Sequence, residues 1–253
     1  MQRCINALVA SVLLALAFSS AAWSDTVVRV GLEPFPPLIN SDGTGYTIDL
    51  LKSLEKHSNL QFQVNIMSYQ RSKIELKKGN IDLIGHTPKG LESAAFYQYA
   101  QELNLKIPTR LDLFALDPRF LKPDHLEQNR LGTPPGNAAF MADLAQIPFD
   151  RFTESPLAGL VEMLTLKRID AILFERGSVL STLAQQSEHP TVHYKTLKTN
   201  IFAGLAVGRS PRADRLAQTL NHTLEGMDYL AIYTPYLKHY VNVAAEGHTP
   251  ATP

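Results

Sequence analysis

Cysteine is nearly missing from this chain: the single copy, Cys4, stands at the extreme N-terminus. Everything after it is without disulfides, thiolate zinc sites or cysteine nucleophiles. Tryptophan is as scarce, its one copy being Trp23. Net charge is missing too. The 24 basic and 24 acidic residues cancel, which argues against nucleic acid or an anionic membrane as the partner. No apolar run after Ser24 has the length of a membrane span. There is no G-x-S-x-G nucleophile elbow and no P-loop. His189 and His193 have i, i+4 spacing, but Pro190 between them breaks the helix that would align them on a metal. No cofactor and no metal are expected.

What is present begins with a leader. MQRC supplies one positive charge, residues 5–18 are almost wholly apolar, and residues 19–24 turn small. Ala22 and Ser24 occupy the positions that signal peptidase reads, so residues 1–24 are expected to be a cleavable signal peptide. Cys4 precedes the apolar run and has no lipobox around it.

After the leader, short apolar strands alternate with amphipathic helices. Residues 27–30 read as a buried strand. Pro34, Pro36 and Pro37 force a loop. Residues 46–57 place Ile48, Leu50, Leu51 and Leu54 on a helical face. Strands are expected at 61–67, 81–84, 111–116, 131–133, 169–174 and 202–207. Helices are expected at 71–78, 138–145 with Asn137 as cap, 155–167, 178–186, 212–224 and 229–240. This alternation implies parallel sheets. LKKGNIDLI at 76–84 is echoed by LTLKRIDAIL at 164–173. A helix ends on basic residues and enters an Ile-Asp strand twice, as two α/β lobes would require. Residues 244–253 (AAEGHTPATP) read as a frayed tail.

Four segments then carry a resemblance. VRVGLEPFPPLINSDGTGYTIDLLKSL, LKKGNIDLIGHTPKGLES, NRLGTPPGNAAFMADL and the pair LTLKRIDAILFERGSVLSTL with FAGLAVGRSPRADRLAQTLNHTL follow one another in order. Together they resemble the periplasmic solute-binding proteins of the family 3 type, which serve polar amino acid ABC importers. The resemblance implies a type II periplasmic binding protein fold, α/β, with two lobes, two crossover strands and a ligand cleft between them. Lobe 1 would take residues 25–106 and 204–243, and lobe 2 residues 114–199. Hinge strands would fall at 107–113 and 200–203.

It also implies site residues. Phe35 matches the aromatic that packs on the ligand, and Tyr69 a second cleft residue. Gly85 and His86 replace the small hydroxyl residues after the first-lobe Asp strand. Gly136, Asn137 and Ala138 match the backbone N–H groups at a helix start, an anion cradle. Glu175 matches the acid that pairs with a ligand amino group. One departure stands out. The family's amino acid binders carry an Arg after the Thr-Pro turn that clamps the α-carboxylate, whereas this chain reads Thr87-Pro88-Lys89-Gly90. Lys89 and Arg71 are the candidate substitutes.

The expected function is therefore non-enzymatic: a monomeric periplasmic protein that captures a small polar solute, an amino acid or an amino-acid-like or organic acid, by hinge closure and presents it to an ABC permease or a membrane sensor. A stand-alone sensory protein is the alternative. A dehydratase on the same scaffold, with Glu175 as general acid, is a further one.

Overall fold

The computed structural model describes residues 26–122, 128–186 and 188–249. The expected signal peptide therefore lies outside the described residues. In chain order the first half comprises β1 (Thr26–Leu32), α1 (Tyr46–Lys56), β2 (Leu60–Ile66), α2 (Tyr69–Lys78), β3 (Leu83–Pro88), α3 (Ala94–Tyr99), β4 (Ala100–Glu102) and β5 (Ile107–Ala115). There follow β6 (Leu131–Thr133), α4 (Ala138–Ala145), β7 (Phe152–Glu154), α5 (Leu157–Thr165), β8 (Ala171–Glu175) and α6 (Arg176–Ala184). The chain returns through β9 (Val192–Gly208), α7 (Pro211–Glu225), α8 (Leu230–Tyr236) and β10 (Glu246–Thr249).

Strand order along the sheet is β2-β1-β3-β9-β5-β8-β6-β7, with β4 and β10 added to β9. The pairs β1–β2, β1–β3, β6–β7 and β6–β8 are parallel, as the strand–helix alternation implies. Those made by β5 and β9 with each other and with β3, β4, β8 and β10 are antiparallel. The sheet is therefore mixed, because β9 returns through the middle of it. β9 runs 17 residues, far beyond the expected 202–207. Its C-terminal part pairs with β3 and its N-terminal part with β5, so one strand joins the two lobes of this two-lobed α/β fold.

The two lobes are built on the same device. In lobe 1 Arg29 donates from its backbone N–H and from Nε to Asp82 Oδ2, each at 2.9 Å, and from Nη2 to Oδ1 and to the Gly79 carbonyl. In lobe 2 Arg130 makes the same four bonds to Asp170 and the Lys167 carbonyl. Each carboxylate so joins the entry of one strand to its parallel neighbour, a charge-assisted fork with fixed geometry. Gly31 and Gly132 follow the two arginines, and a Cβ on either would come within 2.7 Å of an isoleucine Cδ1, Ile81 and Ile169 respectively. The echo in the sequence is this repeated lock.

The repeat has one mismatch. Gly79 ends α2 in the left-handed region at φ 74°, whereas lobe 2 holds Lys167 at φ 55°. A side chain there costs about 1–2 kcal/mol, partly offset by the extra chain entropy glycine loses on folding. Lys167→Gly is expected to raise the melting temperature by about 2 °C, corresponding to roughly 0.5–1 kcal/mol in a chain of this size; a calorimetric scan checks it.

The C-terminal residues differ most from expectation. Residues 246–249 form β10, in register with Lys195, Tyr194, His193 and Val192 of β9. Helices α7 and α8 lie against lobe 1, where Tyr233 Oη is 3.1 Å from Thr47 Oγ1. The segment beyond them reaches lobe 2 and is held there by Arg110 and Arg176. The tail is a third link between the lobes.

Candidate functional site

A cavity of about 50 Å³ lies where the lobes and the crossing strands meet. Lobe 1 lines it with Glu33, Phe35, His86, Thr87 and Pro88, and lobe 2 with Asn137, Phe140, Met141, Phe174 and Glu175. β5 contributes Thr109 to Leu111, and β9 contributes Ile201 to Ala203. Of the ten residues expected at a site, four meet here: Phe35, His86, Asn137 and Glu175.

Phe35 is fixed by its loop. Its backbone N–H and carbonyl pair with those of Ile39 at 2.7 and 2.9 Å, closing the proline-rich turn on itself. Its ring sits 5.1 Å from His86, edge on, and 5.3 Å from Phe174 across the cleft. That aromatic pair brings the lobes into contact and is the arrangement ring quadrupoles favour. His86 Nε2 lies 2.8 Å from Thr47 Oγ1. Burial drives the His86 pKa down to about 3, so the ring is neutral. His86 Nδ1, Thr87 Oγ1 and Arg110 Nε are buried without a hydrogen-bond partner among the described residues. Three orphan polar atoms on residues lining one cavity are unusual, because buried polar groups are normally paired.

Glu33 was not anticipated. It follows β1, is only 3 % exposed, and donates its backbone N–H to the Gly85 carbonyl. Burial pushes its pKa up to about 8, against the downward pull of the Asn137 side chain, Lys73 and the Tyr69 N–H. Glu33 also lines a second, larger groove between the lobes, about 330 Å³ in volume. Pro34, Pro36, Ile66 and Met67 line that groove from lobe 1, and Pro134, Pro135, Pro156, Leu157 and Ala158 from lobe 2.

Glu175 serves the fold. Its Oε1 accepts from the Gly177 N–H at 2.8 Å and the Tyr236 hydroxyl at 2.9 Å. Its Oε2 accepts from the Ser178 N–H and hydroxyl at 2.8 and 2.9 Å. The carboxyl thus caps α6 and anchors α8. Burial nevertheless raises its pKa to about 7.

The remaining expected residues point elsewhere. Tyr69 is buried, with its hydroxyl 2.6 Å from Glu92 and Lys73 over its ring. Arg71 is exposed on α2 and lines neither cavity. Lys89 donates to the Leu103 carbonyl and lies 3.9 Å from Glu102. Gly85 is buried in β3, where a Cβ would overlap the Leu205 side chain. Gly136 has φ +87° and passes so close to Gln70 that a Cβ would come within 2.9 Å of its backbone nitrogen. The Gly136 and Ala138 N–H groups donate to Glu154 Oε1 at 2.8 and 3.0 Å. The anion cradle is occupied by a carboxylate of the chain itself. Asn137 makes no side-chain cap, its amide donating instead to the Pro134 carbonyl. Among the described residues no cluster of side chains is arranged to hold a metal.

No protein-family model matches the chain. No curated protein sequence matches it either. Solved structures do. The substrate-binding protein of an amino acid ABC transporter superposes with a TM-score of 0.67 over 86 % of this chain and 100 % of that one, at 16 % identity. A Streptococcus pneumoniae ABC uptake transporter substrate-binding protein with bound histidine gives 0.66 over 88 % and 95 %, also at 16 %. A histidine kinase sensor domain with similarity to periplasmic binding proteins gives 0.68 over 88 % and 99 %, at 12 %. The chain shares with them the two-lobed periplasmic binding protein fold.

Proposed function

We propose that this chain is a solute-binding protein of the periplasm, exported by the leader at residues 1–24, whose lobes close over a small solute. Lobe 1 would comprise residues 25–106 and 204–243, and lobe 2 residues 114–199, hinged at 107–113 and 200–203. The observation that carries the reading is the interlobe cavity with orphan His86 Nδ1, Thr87 Oγ1 and Arg110 Nε on its lining residues. Desolvated polar atoms of this kind gain most from a ligand that pairs with them. Binding is favoured over catalysis by Glu175, whose carboxyl, the expected general acid, is spent on α6 and Tyr236. Delivery to a permease is one use of a closed, occupied form. Presentation to a membrane sensor is the other, supported by the likeness to a kinase sensor domain.

A thermal-shift panel of amino acids, organic acids, short peptides and amines tests the reading. A solute at about 100 times its dissociation constant stabilises by roughly 2.7 kcal/mol, a shift of about 5–10 °C. A well-folded protein that no class shifts would overturn it.

A further inference from the structure

We infer that the solute is a primary amine with an apolar body, its ammonium held at Glu33 and its body lying in the larger groove. The inference rests on the solute-binding reading and narrows its ligand class.

Size decides where the body goes. The inner cavity, about 50 Å³, is too small for a typical ligand, since ligand pockets span roughly 300–1,000 Å³. The outer groove, about 330 Å³, falls within that range. Glu33 borders both and is the one ionisable residue among the described residues that line the outer one. Five prolines with Ile66, Met67 and Leu157 make its walls largely apolar.

Charge decides the head group. Each position that would clamp a carboxylate is engaged. The cradle N–H groups hold Glu154. Lys89 is turned onto the Leu103 carbonyl and Glu102. Arg71 is outside both cavities, and the terminal nitrogens of Arg110 donate to the carbonyls of Val241 and Val243 and to Thr196. Of the cationic donors lining the inner cavity only the Arg110 Nε–H is left among the described residues, and one N–H cannot form the two-pronged fork a carboxylate prefers. An ammonium carries three donors and no acceptor. Residues lining the inner cavity offer acceptors: the Glu33 carboxylate, which is ionised as pH rises through about 8, Thr87 Oγ1, and His86 Nδ1 in the tautomer whose proton sits on Nε2.

Isothermal titration of the purified protein at pH 8 with n-hexylamine, hexanoate and norleucine tests this, beside the broader thermal-shift panel. Hexylamine is expected to bind and hexanoate to give no heat. Glu33→Gln is expected to weaken hexylamine at least tenfold. Ala158→Trp, which fills the outer groove and leaves Glu33 in place, is expected to abolish hexylamine binding and spare methylamine. Binding of hexanoate or norleucine without hexylamine, or hexylamine binding unchanged in Glu33→Gln, would overturn the amine assignment while leaving the solute-binding reading standing. Silence of the whole panel would overturn both.

Discussion

Replacing Arg176 with methionine is expected to destabilise the protein by about 3–5 kcal/mol, the usual consequence of breaking a buried ion pair from one side. Arg176 and Asp112 are both 0 % exposed. The guanidinium donates through Nε to Asp112 Oδ2, through Nη1 to the Ala244 carbonyl at 2.6 Å, and through Nη2 to Thr196 Oγ1 and the Ala245 carbonyl at 2.9 and 3.0 Å. Its carbon lies 4.6 Å from the centre of the Tyr194 ring. Methionine keeps much of the volume and loses all of those bonds. The Asp112 carboxylate, whose Oδ1 has no hydrogen-bond partner among the described residues, would be left buried with Arg110 as its remaining cationic neighbour among them. Urea unfolding measures the loss. Hydrogen exchange locates it, with residues 244–249 exchanging faster as β10 leaves β9. The double variant Arg176→Met, Asp112→Leu should recover most of the stability, because two apolar side chains need no partner.

Glu33→Gln is expected to change the pH dependence of stability, by an amount of similar size. Glu33 has its folded pKa raised to about 8 from about 4.5, so the folded form holds a proton that the unfolded form has released. Its contribution to stability is fully present below pH 4.5 and is lost as pH rises through 8. The slope is about 1.4 kcal/mol per pH unit inside that window. Glu175, raised to about 7, adds to the same slope between 4.5 and 7. His86 acts oppositely. Its folded pKa, lowered to about 3, costs stability as pH falls below 6.5. With two carboxyls against one imidazole, stability declines on balance from pH 5 to pH 8. Glutamine cannot ionise, so the variant and the parent should be close at pH 5, and the variant more stable by several kcal/mol at pH 9. Urea melts at the two pH values check this. Equal gaps at both would mean that Glu33 is not the desolvated group described above.

The architecture was legible in the sequence where local pattern and tertiary role agree. The apolar strands, the helix at 138–145 and the echo between residues 76–84 and 164–173 are examples, and the echo became the Arg29–Asp82 and Arg130–Asp170 forks. The N-terminal half of β9 was missed because residues 192–200 alternate polar and apolar side chains weakly, and the strand forms by pairing with β5 and β10 on both edges. Residues 246–249, Glu-Gly-His-Thr, have little strand propensity of their own. Carbonyls at 241, 243, 244 and 245 pinned by two arginines from elsewhere hold that segment in place.

Phe35 and His86, which the family resemblance had placed at the cleft, both line the inner cavity. Glu33 was hidden beside Phe35 in the same loop, since its burial comes from tertiary packing, and its hydrogen-bond partner Asn137 stands more than a hundred residues away in the sequence. The resemblance implied an N–H array at Gly136 to Ala138, yet its occupant, Glu154, is set by the parallel pairing of β6 with β7.

The central claim is closure of two lobes on a solute, and a distance across the cleft tests it most directly. The body of the chain has no cysteine after Cys4, so spin labels can be placed at single cysteines replacing exposed Arg71 on α2 and exposed Asp143 on α4. Double electron–electron resonance would then be recorded with and without the solute that raises the melting temperature. The account predicts a broad distribution with a long component that collapses to one short distance when solute is added. Solute binding with no change in that distribution would contradict it.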